Sequence, residues 1–295
     1  MLLFATNAVA TPGTAIVSSW RTNTTHFHPR FSVSSAVEGL GFPAFLPKEV
    51  ENIKDPSARK LASRIQRLQV TVGSSGDCIM SSCVKPLSST QSTPTTSPLV
   101  LLHGFDSSCL EWRYTLPRLE EAGLEAWAVD VLGWGFSDLE KLPPCNVQTK
   151  REHLYQVEKL VLIDASVYVE GTGSMATLPK AVAYAGIGRL HCMYDWWADA
   201  TVNFMSSGGY DVACLIPKIN QKTLIIWGED DKIISSKLGV RLHCELPNAI
   251  IRQIPNCGHI PHVEKPDSVA RLIKEFVQDQ EDCSRKEAQL VSSLQ

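Results

Sequence analysis

The sequence contains no run of about 18 apolar residues that could cross a membrane as a helix. It has no excess of positive charge either: 28 Lys and Arg stand against 31 Asp and Glu, a formal net charge of -3. Neither nucleic acid nor an anionic lipid surface is therefore expected as a partner. There is no C-x-x-C, and the nine cysteines show no Cys/His cluster at zinc-site spacing. No metal, no cofactor and no disulfide framework is expected, which fits a reducing compartment. Cys78 and Cys83 could face each other across a hairpin, but they read better as small, semi-apolar strand residues.

One further absence is local. Residues 1–36 hold no Asp or Glu, are rich in Ser and Thr, and carry Arg21 and Arg30. That is the composition of an organelle transit peptide, although a plain disordered tail would look similar. Ser and Thr so outnumber Arg that a chloroplast address is preferred over a mitochondrial or cytoplasmic one. The domain reading is a leader over 1–45 and one domain over 46–295.

What is present is the pattern of a layered α/β domain. Residues 49–67 have helical spacing of Ile53, Leu61 and Ile65, and 68–72 with 78–84 read as a hairpin around Gly73–Asp77. A Ser/Thr/Pro stretch over 88–98 reads as a solvated loop. Short apolar strands over 99–102, 126–129, 160–163, 223–227 and 249–254 then alternate with helices over 110–122, 235–245 and 266–278. Apolar strands between helices imply a mostly parallel sheet covered on both faces. Residues 167–214, rich in aromatics and Gly, interrupt this order and read as a cap inserted over one edge.

Three motifs carry chemistry. A strand runs into His103-Gly104-Phe105, where backbone N–H groups can face a developing oxyanion and glycine lets the loop come close; a core histidine and a turn glycine would give the same letters. Asp130-Val131-Leu132-Gly133-Trp134-Gly135-Phe136-Ser137-Asp138 is a strand end followed by a glycine-permitted turn, read as support for the site. Third, Trp227-Gly228-Glu229-Asp230-Asp231 and Asn256-Cys257-Gly258-His259 each follow a strand, with one helix and one strand between them. Loops at successive strand ends of a parallel sheet share an edge, so this acid and this histidine can meet. A carboxylate bonded to the histidine Nδ1–H fixes the tautomer of a general base.

Together these motifs, in this order over about residues 68–277, resemble the α/β-hydrolase superfamily, and within it plant, plastid-type hydrolases of esterase or epoxide-hydrolase-like kind. The resemblance implies an oxyanion N–H at Phe105, the triad acid at Asp231 in preference to Asp230, and the base at His259. It needs no cofactor and implies a small-molecule substrate. Trp196, Trp197, Phe204 and Met205 in the cap would wall an apolar pocket, or simply pack the cap onto the sheet.

The nucleophile is what the pattern lacks. In such enzymes it stands on a G-x-S-x-G elbow between the second motif and the 160–163 strand, and no G-x-S-x-G occurs anywhere. Gly135-Phe136-Ser137-Asp138-Leu139 and Gly171-Thr172-Gly173-Ser174 only approach it. Between Asp138 and Glu158 lie about twenty residues, whereas the helix, strand, elbow and following helix need about forty more. The join at Tyr155-Gln156-Val157-Glu158-Lys159 would thus replace the central strand, and Ala183-Tyr184-Ala185-Gly186 running into Ile187-Gly188 suggests a shortened cap. Without that strand, bare edges and poor stability or rearrangement are expected. The readings are an impaired serine hydrolase, a non-catalytic ligand-binding or regulatory isoform, or a truncated gene model with no function of its own.

Overall fold

The first helix shows how local signals and tertiary pairing divide the chain. The computed structural model describes residues 2–5, 41–72, 77–87, 98–139, 143–152, 159–168, 189–207 and 212–278. Asp55 caps α1 (Pro56–Ala62) by accepting from the Ser57 and Ala58 N–H groups, with Pro56 at the first helical position. The expected helix over 49–67 stops at Ala62. The spacing of Ile53, Leu61 and Ile65 fits a helix face, but from Ile65 the chain pairs instead as β2 (Ile65–Val72) with β3 (Asp77–Val84), Ile65 opposite Val84. Cys78 and Cys83 therefore lie on one strand rather than across the hairpin, and no disulfide joins them.

Strands β4 (Leu99–Leu102), β5 (Ala126–Val129), β6 (Lys159–Ile163), β7 (Lys222–Gly228) and β8 (Ala249–Ile254) follow the expected apolar runs. The expected helix over 110–122 divides into a 3-10 turn, Cys109–Trp112, and α2 (Thr115–Glu121). Pro117 explains the division: it has no N–H, so it is tolerated in a first helical turn and not in the middle of one longer helix. Further on come α3 (Val147–Glu152), α4 (Trp197–Ser206) in the cap, α5 (Ser236–Glu245), α6 (Pro261–Glu264) and α7 over 266–278.

Eight strands form one sheet in the order β2-β3-β5-β4-β1-β6-β7-β8. β4 is parallel to β5, and β6, β7 and β8 are mutually parallel. Side chains alternate between two cores, as the strand period of two requires. Val161, Ile163, Leu224 and Ile226 pack toward α1, α2 and α7, while Leu160, Leu162, Ile225 and Trp227 pack toward α5. Helices thus cover both faces.

The expectation of bare edges at the sheet centre is corrected by β1 (Leu2–Ala5). This strand, from the part of the chain read as leader, lies between β4 and β6 and is antiparallel to both. Phe4 pairs with Val100 on one side and Leu160 on the other. The reason is the demand of buried backbone N–H and C=O groups for partners: two edges inside a core recruit an apolar segment that can be extended. The join Tyr155–Glu158, the cap segment 183–188 and the near-elbow 171–174 lie outside the described residues. Among those described, no helix is long and apolar enough to cross a membrane.

Candidate active site

The parallel strands β6, β7 and β8 end on one edge, and their following loops build the site. After β7 the chain turns so that the Asp231 N–H bonds back to the Gly228 carbonyl at 3.3 Å. The Asp231 carboxylate is fully buried and held from both sides. Oδ1 accepts from the Ile233 and Ile234 N–H groups at 2.7 and 3.0 Å, and Oδ2 lies 2.9 Å from His259 Nδ1. Asp230 is exposed, and its N–H bonds the Cys257 carbonyl, so Asp231 is the acid that reaches the imidazole.

His259 sits in the loop after β8, which turns through Asn256 at φ 51°. Glu264 at the end of α6 clamps that loop by accepting from the Gly258 and Ile260 N–H groups. The two loops touch so closely at Gly228 that a Cβ there would lie 2.1 Å from the Gly258 oxygen and 2.6 Å from the Cys257 oxygen. Glycine in the Trp227-Gly228 motif is therefore required by the approach of the His259 loop. With Nδ1–H donating to Asp231, the imidazole Nε2 is left as a base, and the His259 side chain is one-fifth exposed.

The loop after β4 is held from beneath. His103 is a buried structural residue, its Nδ1 donating to the Gly104 carbonyl and its Nε2 accepting from the Val131 N–H at 3.0 Å. Burial lowers its pKa. Glu111 accepts from the Gly104 N–H and stands 3.1 Å from His262 Nε2. The Glu111 pKa falls to about 2: burial acts to raise it, and His262, His103 and the Gly104 N–H together outweigh that. Phe105 is two-fifths exposed beside this loop, its ring 5.1 Å from Trp134 and 5.9 Å from Phe204.

The second motif supports the site. Asp130 accepts from the Cys109 and Phe136 N–H groups and from the Ser82 hydroxyl. Gly135, at φ 74°, leaves no room for a Cβ, which would fall 2.0 Å from the Asp130 carboxyl.

The cap residues divide. Trp197 donates its indole N–H to Asp106 Oδ1 at 2.7 Å, and so ties α4 to the loop that carries Phe105. Trp196 stacks on Tyr194, with centroids 5.2 Å apart, and packs against the Val70, Ile79 and Leu132 cluster. Phe204 is buried against Trp134, and Met205 is exposed.

Three residues emerge that sequence reasoning did not single out. Asp164, immediately after β6, has φ 39° and only 3 % exposure. Its Oδ1 accepts from the Gly228 N–H, and its Oδ2 has no hydrogen-bond partner among the described residues. Burial, reinforced by the Asp231 charge and opposed by that N–H, raises its pKa to about 9. The signal was available: an Asp directly after a buried strand stands on the same edge as Asp231. His191 is buried with Nε2 2.9 Å from Asp106 Oδ1, close to Cys192. Lys150 donates to the Leu132 carbonyl and lies 3.6 Å from the Trp134 ring centre; burial lowers its pKa to about 8. The groupings Asp106–His191–Cys192 and Asp164–Asp231–His259 each bring three ligand atoms within 4.8 Å of one another.

No family model matches the chain. The Arabidopsis thaliana alpha/beta hydrolase domain-containing protein VTE7 is 46% identical over 312 residues, covering 84% of this chain and 94% of the relative. Since 84% of 295 residues is about 248, roughly 64 of the 312 aligned positions of the relative have no residue opposite them here. The uncharacterized hydrolase YugF of Bacillus subtilis is 36% identical over 62 residues, 21% of this chain and 23% of that protein. Among solved structures, a thermophilic esterase from Thermogutta terrifontis superposes with TM-score 0.56 at 17% identity, over 72% of this chain and 98% of that one. A serine hydrolase involved in carbazole degradation gives TM-score 0.57 at 19% identity, over 72% and 99%. At these identities the structural likeness is one of fold.

Proposed function

Because the chain belongs to the α/β-hydrolase family, we propose that it derives from a serine hydrolase of esterase type acting on a small apolar substrate, and that as written it lacks the nucleophile. The observation that carries this reading is the 2.9 Å contact between His259 Nδ1 and Asp231 Oδ2, an acid and base oriented at the edge where acyl transfer takes place in this fold.

In the ancestral reaction, His259 Nε2 takes the proton of a serine hydroxyl as the oxygen attacks the ester carbonyl. Asp231 stabilises the imidazolium that forms, and the proton returns to the leaving alcohol. The Phe105 N–H would meet the oxyanion, with Trp196 and Trp197 bounding the substrate side. Trp197 would do so indirectly, since its indole N–H is committed to Asp106. The absence of G-x-S-x-G and the roughly 64 unopposed positions of the relative both support a missing elbow. A chloroplast address follows from the acid-free composition of residues 1–36.

A second reading, a non-catalytic ligand-binding or regulatory isoform, is favoured by the direction of β1. Ala5 pairs with Leu99 and Lys159, the first residues of β4 and β6, so β1 ends at the sheet edge opposite the Asp231–His259 loops. A turn after it cannot offer a hydroxyl to His259. The test is restoration. Inserting a strand–elbow–helix segment bearing G-x-S-x-G after Tyr155 should produce hydrolysis of short aryl esters, and His259→Gln should abolish it. An insertion that folds cooperatively yet gives no His259-dependent hydrolysis would defeat the serine-hydrolase ancestry.

A further inference from the structure

The edge that carries the acid–base pair also carries a carboxyl group with one oxygen unmatched among the described residues. Asp164 is 3 % exposed, and its Oδ2 is buried without a hydrogen-bond partner among the described residues. Leaving a buried polar oxygen unmatched is costly, and such atoms are ordinarily hydrogen-bonded or bound to a metal. Three groups converge there. One oxygen each of Asp164 and Asp231, and a ring nitrogen of His259, lie within 4.8 Å of one another. Asp231 is fully buried, while His259 is one-fifth exposed and opens the cluster to solvent.

We propose that Asp164, Asp231 and His259 form a binding site for a divalent transition-metal ion of the zinc class. Two carboxylates and one imidazole suit Zn²⁺, which takes mixed oxygen and nitrogen donors and leaves a fourth position open when the protein supplies three. Ca²⁺ needs six to eight oxygens and Mg²⁺ a near-octahedral oxygen shell, and an imidazole serves neither. The ion takes a ring-nitrogen lone pair; at Nδ1 the proton held against Asp231 moves to Nε2 as the neutral imidazole changes tautomer, and the protons released on binding come from ligands protonated in the free site. Metal binding and general-base action are thus alternative uses of the same two residues. The ligands come from three separate strand-end loops, so no local spacing announces them. The proposal rests on the loop geometry and goes beyond the serine-hydrolase reading.

The test uses the full chain, stripped with a chelator and titrated with Zn²⁺ by calorimetry in two buffers of different ionisation enthalpy. One equivalent should bind with release of protons. Asp164→Asn should weaken binding by about tenfold or more without lowering the melting temperature of the stripped protein, and His259→Gln should weaken it similarly. The Co²⁺-loaded chain should show ligand-field bands without a thiolate charge-transfer band. No binding by the parent chain, binding unchanged in both variants, or a thiolate band placing the ion on cysteine would each overturn the proposal. None of these outcomes touches the restoration experiment, so the two readings fail separately.

Discussion

At the scale of single residues, the site sorts carboxylates by what surrounds them. Asp231 accepts three N–H contacts, from Ile233, Ile234 and His259. Asp164, on the same edge, accepts one on Oδ1 and, among the described residues, none on Oδ2. The pKa of Asp164 is raised from 3.8 to about 9, so folding favours its protonated form. The sign follows from linkage. A carboxyl whose folded pKa exceeds its unfolded one stabilises the fold fully below the unfolded value, and that contribution is lost as pH rises toward the folded value. Asp164→Asn should therefore raise the melting temperature of the metal-free chain by a few degrees near neutral pH, about what 1 kcal/mol gives a domain of this size. The gain should shrink as pH falls toward 4, and thermal melts across that window would read it. An unchanged pH dependence would mean that Asp164 is ionised in the folded protein. Asp231 and His259 were legible in the sequence because each follows a strand within a family motif. Asp164 was passed over because its neighbours in Leu162-Ile163-Asp164-Ala165-Ser166 match no motif, and its environment is made by residues far along the chain.

At the scale of elements, the parallel strands were readable from their apolar runs, and their ends agree with the sequence to within a residue or so. Element boundaries failed where one pattern admits two periods. Ile53, Leu61 and Ile65 suit a helix face, yet pairing with β3 turns Ile65 onward into strand. The helix over 110–122 divides at the turn before Pro117, a residue whose consequence was readable but was not drawn. Packing between loops gives a sharper prediction. Gly228→Ala places a Cβ against two backbone carbonyls of the His259 loop, so the loops must part. A stability loss on the order of 1–3 kcal/mol is expected, with disappearance of the downfield His259 Nδ1–H resonance by proton NMR. Retention of that resonance would show that the loops yield without separating the pair. For β1, Phe4→Pro removes the one N–H by which that residue joins the ladder between β4 and β6. Loss of about 1–3 kcal/mol and faster amide exchange in Leu99–Leu102 and Lys159–Ile163 are expected. Unaltered exchange in both strands would remove β1 from the sheet.

At the scale of the whole molecule, the fold is that of the family, but its central position is filled out of chain order. The usual source of the middle strand lies between the second motif and β6. Here the position is held by Leu2–Ala5, running the other way. No sequence rule announces this, because the pairing depends on what the rest of the sheet leaves open rather than on anything in the four residues themselves. It also sets the proposed leader against the fold. Processing of a transit peptide would remove β1 and expose the inner edges of β4 and β6, so a chain lacking residues 1–36 should melt at lower temperature and aggregate more readily than the full one. The central claim is that the chain holds an oriented acid and base and no serine for them to activate. Treatment of the purified full chain with a fluorophosphonate probe, followed by peptide mass spectrometry, tests it most directly. The account predicts no stoichiometric adduct on any serine, whereas a serine adduct that vanishes in His259→Gln would contradict it.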